Sequence, residues 1–194
     1  MEFDAAVRNA LITSSKGLYL ETRLGWLAHE NNSSLPGPKY LTSFNFARFP
    51  LELDYIRQFS RSSNSEAIKT LYSQCNGMRV LNDLFVVPGV GFHTSDMHGL
   101  EFFNVPYDFQ VCRGLDGPAK APVDGLIVGI SRQNDEAQNG DLFDIVDERG
   151  RIVSGCFDNS PSVIEVENDY LKWISSRVSQ AEQTYMHALR RKMN

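Results

Sequence analysis

The sequence predicts an α+β fold, with a mostly antiparallel central sheet flanked by helices and a long helix in the C-terminal part. Helical periodicity occurs near both ends of the chain, and short apolar or alternating segments typical of strands occupy the middle. The middle strands have no helices between them, so a doubly wound parallel sheet is not expected. The 194 residues suffice for one domain, and we predict a single domain over residues 1–194.

The first element is a helix, because Phe3, Val7 and Leu11 of "EFDAAVRNALI" share one helical face. A less regular region follows to about residue 50 and contains the loop "NNSSLPGP". Its aromatic residues suggest that it packs on the domain. Because its pattern is irregular, we treat residues 1–50 as an N-terminal extension of that domain. The segment 50–59 is predicted to form another helix, with proline near its first turn.

A third helix is predicted at 64–75, where "SNSE" fits a capping box. Gly77 stands where a left-handed C-terminal cap is wanted, since glycine adopts a positive φ without steric cost. Asn76 also tolerates that conformation. Asn76 and Gly77 are therefore predicted to define the fold by ending the helix and directing the chain towards a strand at 84–87.

The following segments are predicted to be β structure and then helix. An apolar stripe with helical spacing predicts the long helix at roughly 167–190. A hairpin is predicted at 141–157, with "DERG" as its turn. The predicted strands are 84–87, 100–105, 107–112 and 125–131.

Acidic residues are concentrated in the second half of the chain. Residues 1–97 contain nine acidic and nine basic side chains, whereas residues 98–194 contain fifteen and ten. Between 101 and 169 the numbers are fourteen and five, a net charge of −9. A field of this sign repels nucleic acid and attracts cationic partners, although the same surplus also serves ordinary solubility.

The segment 134–148 is the most distinctive polar stretch and contains no Lys or Arg. Two interpretations remain open: a solvated hairpin edge whose charges prevent unwanted strand pairing, or an acidic docking face for a basic protein. The candidate partner-binding residues are Asp135, Glu136, Asp141, Asp144, Asp147 and Glu148.

Signals for catalysis are few. His93, Asp96 and His98 offer metal ligands within six residues. On a strand, however, the two histidines would point to opposite faces, and a surface loop is the alternative that we expect. The chain contains no phosphate-binding glycine motif, no G-x-S-x-G and no H-E-x-x-H. The three cysteines form no C-x-x-C pair. We therefore expect no catalytic residues, no metal and no cofactor.

No apolar run approaches the roughly 18 residues that a membrane-spanning helix needs. The N-terminal segment begins acidic and lacks the apolar core of a signal peptide. We therefore expect a cytoplasmic location without membrane contact.

The stretch "LYSQCNGMRVLNDLFVVPG" (71–89) resembles the helix–"NG"–strand signature of the SUKH superfamily. The later order is also similar, with an apolar strand at 126–131, a hairpin around 147–153 and a closing helix bearing "YLKWISSRV". The resemblance covers roughly residues 60–190. The residues that match the signature are Leu71, Tyr72, Cys75, Asn76, Gly77 and Gly89.

The resemblance implies a binding protein and not an enzyme, because the superfamily includes bacterial immunity proteins that bind and neutralise a cognate toxin. Such toxins are often nucleases, whose basic substrate face would suit the acidic surplus. Fungal members are cell-wall regulators, so a regulatory scaffold in a multi-protein complex is an alternative. A hydrolase that uses a metal at His93, Asp96 and His98 is a further one.

Overall fold

The computed structural model describes residues 2–11, 19–22, 25–29, 40–46, 66–88, 111–112, 125–132, 141–156 and 162–193. Within these ranges the helices are α1 (Glu2–Ala10), α2 (Glu66–Gln74) and α3 (Tyr170–Met193). The strands are β1 (Tyr19–Thr22), β2 (Gly25–His29), β3 (Tyr40–Phe46), β4 (Cys75–Val80), β5 (Phe85–Val87), β6 (Val111–Cys112), β7 (Gly125–Ser131), β8 (Leu142–Asp147), β9 (Ile152–Cys156) and β10 (Ser162–Glu167).

The ten described strands form one antiparallel sheet. Their order is β1-β2-β3-β4-β5-β7-β8-β9-β10, and β6 pairs with the part of β7 that β5 leaves free. This confirms the predicted α+β class. The predicted strand at 125–131 corresponds to β7, the predicted hairpin to β8 and β9, and the predicted C-terminal helix to α3. No helix in the described ranges is both long and apolar enough to cross a membrane.

The N-terminal region contains more strand than expected. Three strands, β1 to β3, lie where an irregular region was predicted, and they continue the sheet through β3 and β4. Strands β4 and β10 were also not predicted. The loop at 31–38, the helix at 50–59 and the strand at 100–105 lie outside the described residues, as does most of the strand at 107–112. The extent of the domain and of the extension stays a prediction.

Gly77 has a positive φ of 84°, as expected, but it does not cap a helix. The helix ends at Gln74 and β4 begins at Cys75, so Gly77 lies inside a strand. The register between β3 and β4 shifts here because β4 carries one residue more than its partner. Asn76 is 4% exposed. The cap prediction is therefore wrong, and Gly77 supplies the left-handed residue of a β-bulge.

The three helices pack on one face of the sheet and bury its main core. The chain alternates between the two faces, so every second residue of the central strands points towards the helices. The opposite face carries a smaller cluster of buried residues, centred on Ile127 and Ile145. The largest fully buried side chains are Trp26, Tyr72, Phe3, Phe44 and Phe85.

Helix α1 is fastened to the N-terminal strands by polar contacts with aromatic rings. The Arg8 guanidinium lies 4.7 Å from the ring centroid of Tyr19 and 4.8 Å from that of Trp26. Asp4 accepts hydrogen bonds from Arg8 Nε (2.8 Å) and from Trp26 Nε1 (2.6 Å). Cation–π contacts are stronger when water is excluded, as it is at the fully buried Trp26. These contacts place α1 against β1 and β2.

Candidate functional site

The four described residues of the predicted acidic face do not form one surface. Asp141 is exposed just before β8, Asp144 is fully buried in the middle of the strand, and Asp147 at its end is 6% exposed. Glu148 is exposed in the following turn. Asp141 and Asp147 are six residues apart along an extended chain, which corresponds to about 20 Å. The structure thus corrects the prediction for Asp144, which is an interior residue and not a docking residue.

Five other predicted residues lie outside the described ranges. They are the acidic pair Asp135 and Glu136 and the metal candidates His93, Asp96 and His98. Within the ranges that the structure describes, no group of three His, Cys, Asp or Glu side chains is arranged to hold a metal ion.

Asp144 belongs to a row of residues that crosses the sheet beneath α3. The strand registers pair Gly129 with Asp144, Asp144 with Ser154, and Ser154 with Glu165. Cross-strand partners point to the same face, so the four residues are aligned from the centre of the sheet to its edge. Arg177 of α3 lies over this row and is 6% exposed.

The Arg177 guanidinium makes its closest contacts with Asp144. Its Nε lies 3.0 Å from Oδ2 and its Nη2 lies 2.8 Å from Oδ1. The same Nη2 donates to Ser154 Oγ at 2.6 Å and lies 3.4 Å from Glu165 Oε2. Ser154 Oγ donates in turn to Asp144 Oδ1 at 2.5 Å. The buried carboxylate and guanidinium therefore satisfy each other, with the hydroxyl as a third member.

The Arg177 guanidinium keeps its charge in this arrangement. Burial would lower the pKa of Arg177, but the hydrogen bonds and charge of Asp144 raise that pKa above its ordinary value. A guanidinium in this state stays protonated and cannot act as a base. We therefore interpret the pair as the contact that fixes α3 on the sheet, with Glu165 as its link to the surface.

Gly129 leaves the space that the pair needs. A Cβ atom at this position would lie 2.7 Å from Asp144 Oδ2 and 2.9 Å from Trp173 Cζ2. Both distances are shorter than van der Waals contact. Trp173 is 3% exposed, and its Nε1 has no hydrogen-bond partner in the structure as described. Tight packing over Gly129, and not a polar contact, therefore sets the position of the indole ring.

The β8–β9 turn is organised by Asp147. Its Oδ1 accepts hydrogen bonds from the backbone N–H groups of Arg149 and Arg151, both at 2.9 Å, and its Oδ2 accepts from Arg151 Nε. Burial would raise the pKa of Asp147, but these hydrogen bonds and the Arg151 charge lower it below its ordinary value. Gly150 follows with a φ of 77°, and its carbonyl accepts from the Tyr170 hydroxyl at 3.2 Å. The turn is thereby tied to the start of α3.

The carboxylates that precede α3 are also engaged. Asp169 Oδ1 accepts from the N–H groups of Leu171 (2.9 Å) and Lys172 (3.1 Å), as an N-terminal cap does. The Lys172 ammonium and two backbone N–H groups lower the pKa of Glu167 to about 2. Asp147, Glu167 and Asp169 are thus bound within the fold, whereas Glu148 is exposed and Glu165 is 52% exposed.

Strand β10 presents an unusual edge. Among the described strands it pairs only with β9, and its Val163 and Val166 side chains are 50% and 46% exposed. The register shifts between Val163 and Glu165, so β10 carries one extra residue there. This bulge turns both valines, three residues apart, to the sheet face opposite α3, while Glu165 points towards α3. The edge therefore combines an apolar side and an acidic side.

The β4–β5 loop has three successive residues with positive φ: Leu81 (49°), Asn82 (60°) and Asp83 (67°). Such residues persist only where neighbours hold them. Here Leu81 N donates to Thr42 Oγ1 at 3.0 Å, and Asp83 forms an ion pair with Arg79. The loop borders a cavity of about 290 Å³. The described residues that line this cavity are Leu81, Asn82, Leu84, Arg132, Tyr185, Ala188 and Leu189.

The roles of Arg177 and of the β10 valines were missed in the sequence, although one signal for the ion pair exists. Arg177 falls on the apolar stripe of its helix between Ile174 and Val178, and Asp144 alternates with Phe143 and Ile145 on its strand. A charged residue on each of two predicted inward faces indicates a buried pair. The exposure of Val163 and Val166 had no comparable signal, because the bulge between them decides where they point.

The comparisons with known proteins carry no family assignment. No protein-family model matches the chain. No curated protein and no solved structure matches it either. The resemblance to the SUKH superfamily therefore stays a prediction.

Proposed function

We propose that this chain is a non-enzymatic binding protein whose partner is a basic protein domain. More specifically, we propose a cytoplasmic immunity protein, as the SUKH resemblance suggests, that binds and neutralises a toxin such as a nuclease. The observation that carries the proposal is the edge of β10, where two half-exposed valines adjoin the half-exposed Glu165. An apolar patch bordered by charge is typical of a protein interface.

The charges near this edge favour a cationic partner. Glu165 is half-exposed, and the Arg177 charge behind it is already compensated by Asp144. In the β8–β9 turn, the exposed Glu148 is offset by the exposed Arg149. In the sequence, residues 101–169 carry a net charge of −9. Such a field accelerates encounter with a basic protein, and apolar contact then slows dissociation.

A regulatory scaffold would use the same surface with a different partner. The two functions differ in whether a toxin is neutralised, so the test is a survival assay. Candidate toxin domains from the neighbouring genes are each expressed in a host, with and without the chain. We expect the chain to restore growth, and salt to slow association of the two purified proteins. Cells that die equally in both cases would contradict the immunity function.

A further inference from the structure

We propose that β10, at the edge that no described strand pairs with, binds an extended, basic segment of the partner, which adds a strand to the sheet. This inference rests on the proposed function and specifies its site and mode of recognition. Strand addition supplies affinity through backbone hydrogen bonds and specificity through the side chains that alternate beside them.

The backbone of β10 provides the first part of the argument. A strand paired on one side only leaves a row of N–H and C=O groups pointing away from the sheet. In the described part of the chain β10 is such a strand, with β9 as its neighbour. Its register with β9 extends from Ser162 to Glu167, so the free edge is also about six residues long. This length is enough for a paired peptide segment.

The side chains of β10 provide the second part. Val163 and Val166 lie on the same face beside the buried Val153, so an added strand with apolar residues on that face would extend an existing apolar surface. Glu165 points to the other face and is half-exposed. Cross-strand neighbours of opposite charge attract each other, so a Lys or Arg on that face of the added strand would pair with Glu165.

The charge distribution favours a basic segment over a second copy of the chain. A second copy paired edge to edge would bring the half-exposed Glu165 of each copy to the shared edge. Like charges oppose this approach, whereas a basic segment is attracted. A glutamate on an edge also discourages unwanted self-pairing. The charge of Glu165 thus opposes self-association and favours a cationic strand.

The test uses the full chain and two short synthetic peptides, one alternating lysine with valine and one alternating glutamate with valine. Binding is measured by fluorescence anisotropy, and the site by hydrogen exchange of the backbone amides. We expect the lysine peptide to bind and to slow exchange in β10 but not in β1, the opposite end of the sheet. We expect no binding of the glutamate peptide.

Matched variants locate the contact. Replacing both Val163 and Val166 by serine should weaken binding about tenfold. Each valine is half-exposed, so burying it against the peptide gains about half of the free energy of burying a fully exposed valine. Leu20→Ser is the control, because Leu20 is 47% exposed on the edge strand β1. Glu165→Gln should weaken binding up to about fivefold, while Glu148→Gln in the turn should not.

Three outcomes would overturn the inference. The first is an equal loss of peptide affinity in Leu20→Ser and in the double-serine variant, and the second is unchanged hydrogen exchange in β10 when the lysine peptide binds. The third is a dimer of this chain that the double-serine substitution dissociates. The survival assay separates this inference from the proposed function. A double-serine variant that still neutralises the toxin would refute the role of the β10 edge alone. A wild-type chain that binds the lysine peptide at β10 but never protects cells would refute the immunity function alone.

Discussion

Replacing Asp144 by asparagine tests the role of the buried ion pair directly. The change keeps the size of the side chain and removes its charge, so Arg177 remains 6% exposed without its main counter-ion. Breaking one side of a buried pair costs about 3–5 kcal/mol. Glu165 lies 3.4 Å from Arg177 Nη2 and offers partial compensation from the edge. We therefore expect a loss near the lower limit, about 3 kcal/mol.

The measurement is urea unfolding followed by tryptophan fluorescence and by circular dichroism. With a slope of about 2 kcal/mol per M urea, a loss of this size lowers the midpoint by about 1.5 M. The matched control is Glu21→Gln, the same type of substitution in an ion pair whose carboxylate is 63% exposed. Exposed pairs contribute at most about 1 kcal/mol, so the control midpoint should move by less than about 0.5 M.

A double substitution checks the reasoning independently. Leucine at Asp144 together with methionine at Arg177 removes both charges, so neither is left uncompensated. We expect this double variant to be more stable than Asp144→Asn alone, because a buried ion pair replaced by apolar residues is often neutral in stability. If Asp144→Asn unfolds within the range of the Glu21→Gln control, the pair does not hold α3 on the sheet and our interpretation is wrong.

Three further predictions concern other parts of the molecule. Gly77→Val should lower the unfolding free energy by about 1 kcal/mol or more, because valine is strained at a positive φ; an unchanged melting temperature would contradict the bulge. Asp147→Asn should be destabilising at neutral pH, and its difference from wild type should shrink as the pH falls below 3.8, the ordinary pKa of the group. The sign follows because a lowered pKa in the folded state stabilises only while the carboxylate is ionised; a difference independent of pH between 5 and 2 would refute it. Elemental analysis of the purified chain should find no stoichiometric zinc or manganese, and one equivalent of either would instead favour a metal site at His93, Asp96 and His98.

The sequence predicted those elements whose residues repeat with a clear period. Helix α3 has an apolar stripe over about five turns, from Leu171 to Leu189, and β7 is apolar nearly throughout. Strands β1 and β2 were missed because "YLET" and "GWLAH" are short and alternate weakly. Their burial depends on contacts with β3 and α1, which belong to other segments of the chain. Such strands are specified by their partners more than by their own pattern.

In the candidate site, too, local sequence predicted some features, whereas others depend on tertiary contacts. The positive φ of Gly77 followed from local chemistry, yet whether the glycine ends a helix or forms a bulge depends on the neighbouring β3. Asp144 was grouped with its acidic neighbours because sequence proximity suggested a shared surface. Its inward orientation follows from strand alternation, and its charge is compensated by Arg177, 33 residues later in the chain. Composition alone therefore overestimated the number of acidic groups that face solvent.

The position of Arg177 has a consequence for biosynthesis. Asp144 leaves the ribosome 33 residues before Arg177, and α3 follows all ten described strands. The sheet can therefore begin to assemble while the carboxylate is still hydrated, but it cannot exclude water from that position until the helix has been translated. Burial of Asp144 is thus a late step in folding, because it requires the Arg177 guanidinium of the last helix.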